Sequence, residues 1–389
     1  RLFPALAVLL LVVMGAGSLI LLPHELHVLS ETVLSTLFFS SNFYFWLNSG
    51  YFATDAKLLP LLHTWSLSVE EQFYFIFPLA LIALHRLNLS KRAFVAIIFL
   101  MCLCSFVTAE WAPNGPRSAA FFFPVTRAWE LLVGGMLTFI PRSSVEVFVK
   151  DHTKINVVVF LSLLAVLLPI VFGSKLMVHP GINTIPVVIG TALLIPLASY
   201  SPMFAAYFRF RGLVFIGLIS YSLYLWHWPL ISLYRHLFGI SLSIVDQGLL
   251  FAMSIFLGWA SWKYVEQLLR GDRFNDKTLV KSCGVVCALL LVVATAAIYT
   301  NGFFDVTYNY RLTNEQRLRL DAVSTAVAKK LPEQMYRGEC LFYHPAAEAK
   351  DLDSCAEKYG PAVLIVGDSH AMNVSNILAM SGKAPFLIS

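Results

Sequence analysis

The stretch LLHTWSLSVEEQFYFIFPL, residues 61–79, places two demands on the fold at once. Its apolar residues run on to about residue 84, long enough for a helix to cross a hydrocarbon layer. Yet His63, Ser66, Glu70 and Tyr74 recur at i, i+3, i+7 and i+11, which is one narrow polar stripe on a helix. Glu71 stands about 100° round from it. A charge deep in a span costs about 2.5–3.5 kcal/mol on insertion scales, so such groups normally face a bundle interior or a wet cavity. The stripe therefore asks for partner helices. The alternative is that Glu70 and Glu71 lie near an interface and pair with structural bases.

The rest of the chain supplies the partners. Its 389 residues are 58% hydrophobic, 14% aromatic and only 13% charged, with a mean hydropathy of +0.72. That excludes an ordinary soluble domain and indicates a polytopic helical membrane protein. Spanning windows fall at 2–22, 61–84, 93–109, 119–140, 155–172, 184–200, 212–233, 246–265 and 279–300. A shorter stretch, 33–47, rich in Ser, Asn and aromatics, reads as an interfacial or re-entrant helix, with a tenth span as the alternative. No signal peptide is visible, because residues 2–22 are apolar for too long and lack a processing site.

Charge orients the bundle. Residues 1–300 carry a net +6 and residues 301–389 a net −1, and no basic patch points to nucleic acid. With nine alternating spans starting from the cytoplasm, the inner segments hold fourteen Lys and Arg and the short outer loops four. This is the asymmetry of the positive-inside rule, and it puts residues 301–389 outside. Cys102, Cys104, Cys283 and Cys287 lie within spans and read as small core residues. Cys340 and Cys355 lie in the outer tail, where an oxidising compartment favours a disulfide; two free thiols are the alternative.

The tail is expected to form a polar linker, 301–361, with a helix near 314–331 that starts after Thr313 or Asn314. Then AVLIV (362–366) reads as a strand, GDSH (367–370) as a turn, AMNVSNILAM (371–380) as a helix and FLIS (386–389) as a second strand. This is one β-α-β unit of a larger domain. Ser369 would stand at the strand's carboxyl end with a helix N-terminus to stabilise an oxyanion. Asp368 or Ser369 serving only as a helix cap is the plainer alternative. His370 would point away from Ser369, and no later His follows it.

Two further spans carry polar groups. In FFPVTRAWELLVGG (122–135), Arg127 and Glu130 are three apart and can pair with each other, which would make them structural. Gly134 and Gly135 suit close helix packing. In ISYSLYLWHWPLI (219–231), Ser220, Tyr224 and His227 share a face that either lines a polar path or satisfies its own hydrogen bonds, and Pro229 would kink the helix. No metal site is expected.

Taken together, RLFPAL, FFSSNFYFW (38–46), LLHTWSLSVEEQFYFIFPL, FFPVTRAWELLVGG, ISYSLYLWHWPLI and YVEQLLR (264–270) resemble, in order, the acyltransferase-3 family of membrane acyltransferases. GDSH resembles the first block of an SGNH hydrolase domain. The fused form resembles bacterial O-acetyltransferases of lipopolysaccharide O-antigen and related glycans. The resemblance implies an acyltransferase-3 membrane domain with the extra span at 279–300, a periplasmic linker, and the start of an SGNH domain at 362–389. It also implies that the family's first-helix His precedes Arg1 and that the partners of the SGNH serine follow Ser389.

The expectation is therefore an inner-membrane enzyme that passes an acetyl group from cytoplasmic acetyl-CoA outward to hydroxyls of a cell-envelope polysaccharide. No bound cofactor is expected. Ser369 would be the outer nucleophile, with Asp368 supporting its turn. Glu70, Glu71, Arg127 and Glu130 would line or orient the membrane site, and His63, Ser66, Tyr74, Tyr224 and His227 would line the path. The rivals are a peptidoglycan acceptor, a transporter or flippase without acyl transfer, and a tethered esterase.

Overall fold

The computed structural model describes residues 3–48, 55–111, 117–141, 149–172, 181–270 and 276–306, with isolated positions 143, 145, 313, 314, 317, 363, 364, 387 and 388. Residues up to Phe304 form one compact unit and those from Asp305 a second.

In the first unit the helices run α1 (Phe3–Ile20), α2 (Pro23–Leu37), α3 (Ser41–Leu47), α4 (Thr64–Arg86), α5 (Lys91–Trp111), α6 (Arg117–Phe122), α7 (Pro124–Met136), α8 (His152–Phe172), α9 (Ile185–Leu197), α10 (Ala205–Phe208), α11 (Arg211–Phe238) and α12 (Ile244–Ser261). A π-helical turn, Trp262–Glu266, leads into α13 (Gln267–Arg270), and α14 (Asp276–Tyr299) follows. Nine helical stretches among the described residues are long and apolar enough to span, and they coincide with the nine expected windows.

The stretch 33–47 is not one helix, and neither of its two pieces is among the helices long and apolar enough to span. It is the end of α2, a break at Phe38–Ser40 with Phe39 at φ 50°, and then the seven residues of α3. α2 buries Leu26, Leu29, Ser30, Thr32, Val33 and Thr36 within the bundle. Its apolar face joins Leu6, Leu9, Leu10 and Val13 of α1, Leu225 of α11 and Leu290, Ala294 and Ala297 of α14 in one core. The helix was missed because His24, Glu25, His27 and Glu31 break its hydropathy while leaving its period intact.

Lipid is as apolar as leucine, so close packing rather than water exclusion holds such helices together. Gly258 of α12 shows this: a Cβ there would lie 2.9 Å from the Leu223 Cα of α11. Gly190 of α9 is as tight, 2.8 Å from the Ser162 carbonyl of α8. Gly134 and Gly135 do not play the expected part. A Cβ at Gly134 meets nothing within 4 Å, and one at Gly135 only the Phe77 ring at 3.8 Å. Cys104 also departs from expectation, being exposed on α5, whereas Cys102 is buried.

In the second unit, the Arg317 N–H bonds to the Thr313 carbonyl at 2.9 Å, a helical turn at the expected start. β1 (Val363–Leu364) pairs in parallel with β2 (Leu387–Ile388), in register Val363 to Leu387. A parallel pair needs a crossover connection, as a β-α-β unit provides. Ser369, Asp368, Cys340, Cys355 and the 371–380 helix lie outside the described residues.

Candidate functional site

The polar residues of α4 divide between two faces. Thr64, Ser68 and Gln72, at i, i+4 and i+8, turn toward α2 and α3. Thr64 Oγ1 lies 3.0 Å from Thr36 Oγ1 and 3.1 Å from Ser41 Oγ, and Ser68 Oγ lies 2.7 Å from Ser41 Oγ. Gln72 Nε2 donates to the Phe39 carbonyl at 2.6 Å and to Asn42 Oδ1 at 2.9 Å, while Asn42 Nδ2 donates to the Phe122 carbonyl at 3.1 Å. This ladder holds the break between α2 and α3. It was not anticipated, although its four-residue spacing is visible in HTWSLSVEEQ.

The other face meets α11. The Tyr224 hydroxyl donates to the His63 carbonyl and lies 2.7 Å from Ser66 Oγ. The His63 ring packs edge-on against Tyr224, centroids 5.2 Å apart, and against His227 at 5.6 Å. His227 Nδ1 donates to the Tyr224 carbonyl at 2.6 Å, which leaves Nε2 as the basic nitrogen. His63 is 7% exposed. With the Leu225 backbone nearby, neither of its buried ring nitrogens has a partner of good geometry. Tyr224 and His227 also line a cavity of about 500 Å³ between α11 and α12, with Ser220, Gln247 and Ser254.

Deeper along the interface, Tyr221 stands in the combined field of Glu71, Glu266 and Glu70. Glu266, 4% exposed, enters from the π-helical turn. Ser222 donates to its Oε1 at 2.5 Å and sits 3.1 Å from Ser261 Oγ. Single π-turns inside helices are frequent at functional sites. Glu266 was not among the expected residues; the available signal was an acidic residue directly after the apolar window 246–265. Tyr74, at the far end of the expected stripe, is by contrast 52% exposed. Neighbouring helices cover the His63 end of the α4 stripe and not the Tyr74 end.

Arg127 and Glu130 pair with each other at 3.2 Å. The guanidinium also lies over Trp65, 5.5 Å from its ring centroid, and over Phe121 at 6.0 Å. It reaches the HTW segment through Trp65 and supports it from outside the His63 cluster. No group of three or more metal-ligating side chains occurs among the described residues.

The loop before α4 is held by α11 as well. Arg235 Nη1, His236 Nε2 and Trp228 Nε1 donate to the carbonyls of Lys57, Leu58 and Leu59 at 3.4, 2.8 and 2.8 Å. These bonds and the Tyr224 bond to His63 fix the loop's path, and so the place of the His63 ring.

Residues 1–263 match the family described as an acyltransferase domain. Among similar proteins, a peptidoglycan O-acetyltransferase, OatA of Listeria monocytogenes, is 28% identical over 326 residues, 79% of this chain and 52% of that protein. An O-acetyltransferase OatA of Staphylococcus aureus is 32% identical over 249 residues, 59% of this chain and 39% of that protein. The chain thus spans about half or less of these relatives' length, and no solved structure matches it. The family match runs through the α4 stripe and the whole of α11 with its Tyr224–His227 face, and by that match the chain belongs to the acyltransferase-3 family of membrane acyltransferases.

Proposed function

We propose that this protein is a membrane O-acetyltransferase that moves an acetyl group from acetyl-CoA on the cytoplasmic side to hydroxyls of a cell-envelope polysaccharide on the other side. The observation that carries this is the His63–Tyr224–His227 cluster, in which both ring nitrogens of the buried His63 lack a hydrogen-bond partner of good geometry. Glu70, Glu71 and Glu266 all act electrostatically on Tyr221, three residues before Tyr224 on α11. The Lys and Arg asymmetry sets the His63 end outward and the Glu266 end inward. A thioester carbonyl brought into the α4–α11 interface is attacked by an acceptor group, whose proton passes to an imidazole or carboxylate as the coenzyme leaves as its thiol. Ser369, with Asp368 in its turn, would receive the acyl group outside and surrender it to a sugar hydroxyl.

Peptidoglycan is the first acceptor to test, because the Listeria relative bears that name; lipopolysaccharide O-antigen is the second. The experiment is to incubate membranes holding the full-length protein with labelled acetyl-CoA and each glycan, and to follow coenzyme release and glycan acetylation separately. Acetylation of one glycan, lost in Glu70→Gln, supports the reading. Export of an unmodified solute with no coenzyme release would make the protein a transporter.

A further inference from the structure

His236 sits near the end of α11, 7% exposed in its side chain, with an acceptor at each ring nitrogen. Nε2 faces the Leu58 carbonyl at 2.8 Å, and a carbonyl can only accept. Nδ1 faces Glu25 Oε1 at 3.4 Å. The other oxygen of that carboxylate, Oε2, accepts the Leu22 N–H at 2.9 Å, closing the N-terminal cap of α2. A neutral imidazole has one N–H and satisfies one of these acceptors, whereas an imidazolium satisfies both.

We propose that His236 works as an imidazolium latch, joining α2 to the 57–63 loop so that His63 is held in place, and that it is a positioning residue for acyl transfer. The proposal rests on His63 belonging to the transfer site. The latch stands beside Arg235 and Trp228 on α11, which hold the neighbouring carbonyls of Lys57 and Leu59. The charged group in contact with His236 is Glu25 of α2, on which His24 also acts, while Arg235 of α11 bonds to the Lys57 carbonyl; among the described residues Glu25 is the anion within ion-pair distance of the imidazolium. Burial alone would raise the Glu25 carboxyl. The His236 hydrogen bond, the Leu22 N–H and the charges of His236 and His24 outweigh it and hold the carboxyl below its usual range.

The pH dependence follows. The latch is complete where Glu25 is ionised and His236 is charged. It is lost as pH falls through the depressed pKa of Glu25, and again as pH rises and His236 gives up its second N–H. Transfer should therefore follow a bell, with an alkaline limb owned by His236 on the face that carries residues 57–63.

The test uses the full-length protein in lipid nanodiscs. Imidazole 15N spectra of wild type against His236→Gln should show one histidine with both nitrogens protonated at neutral pH, absent from the variant. In acetyl-CoA turnover, His236→Gln should lower kcat about 10- to 100-fold, the size expected for misplacing a reacting group by about an ångström, with KM for acetyl-CoA unchanged. His236→Arg keeps a charged double donor, so it should restore much of kcat and flatten the alkaline limb. A neutral His236 in the spectra overturns the proposal. So does an alkaline limb that persists in His236→Arg, or a His236→Gln enzyme with wild-type kcat. If wild type turns over no acetyl-CoA under any condition, the proposed function fails, and the spectra alone still decide the charge of the latch.

Discussion

The two polar faces of α4 share one helix and meet opposite fates. On the Thr64–Ser68–Gln72 face, the side chains find partners on α2 and α3, and the ladder closes. On the His63–Ser66–Glu70 face, α11 supplies bonds for the His63 carbonyl and Ser66, yet both His63 ring nitrogens stay without a good partner. Hydrogen bonds left unmade in a low-dielectric interior are costly. The closed ladder is fully used in packing, and the open face is the one on which the proposed acyl transfer rests.

The strongest way to break this comparison is to remove the open face. Glu70→Gln keeps the shape and deletes the charge, and should lower acetyl transfer by roughly 10²–10⁴-fold, the usual weight of acid–base groups, without lowering the amount of folded protein in the membrane. Ser369→Ala in the full-length protein should abolish glycan acetylation while coenzyme release persists. Measuring both products in each variant separates the membrane step from the outer one, and normal glycan acetylation in Ser369→Ala would reduce the GDSH turn to a helix cap.

His63→Phe sharpens the contrast further. It removes a buried polar ring with no good partner, so detergent-solubilised protein should be as thermally stable as wild type or more so. Acyl transfer should fall by about 10²-fold or more. A loss of stability with activity per folded molecule retained would reassign His63 to the structural face.

On the closed face the expected signs reverse. Thr64→Val or Gln72→Leu should each cost about 0.6–1.7 kcal/mol of unfolding stability, as interhelical hydrogen bonds do in membranes. Activity per folded molecule should stay within about twofold. The smallest contrast is between glycines. Gly258→Ala should destabilise, because its Cβ would enter the Leu223 backbone, whereas Gly134→Ala should be silent in thermal unfolding.

The polar residues of α4 were legible in the sequence, but their division was not. Periodicity placed His63, Ser66, Glu70 and Tyr74 on one stripe, and the structure brings the first two against Tyr224 while leaving Tyr74 exposed. Spacing tells which residues share a face; which part of a face is covered depends on where a neighbouring helix crosses it. Arg127 and Glu130 were readable as a pair because both lie on one helix, three residues apart.

Composition and hydropathy alone determined the polytopic helical class, the nine spanning windows and the sense of the charge asymmetry, because a bilayer imposes length and apolarity on each segment by itself. Tertiary structure decided the rest. The broken α2–α3 pair, the placement of Glu266 by a π-turn and the hold of Trp228, Arg235 and His236 on three successive carbonyls join residues distant in sequence. Nothing in the local pattern of either partner encodes the meeting. It arises when close-packed helices bring one segment's donors to another's unpaired carbonyls.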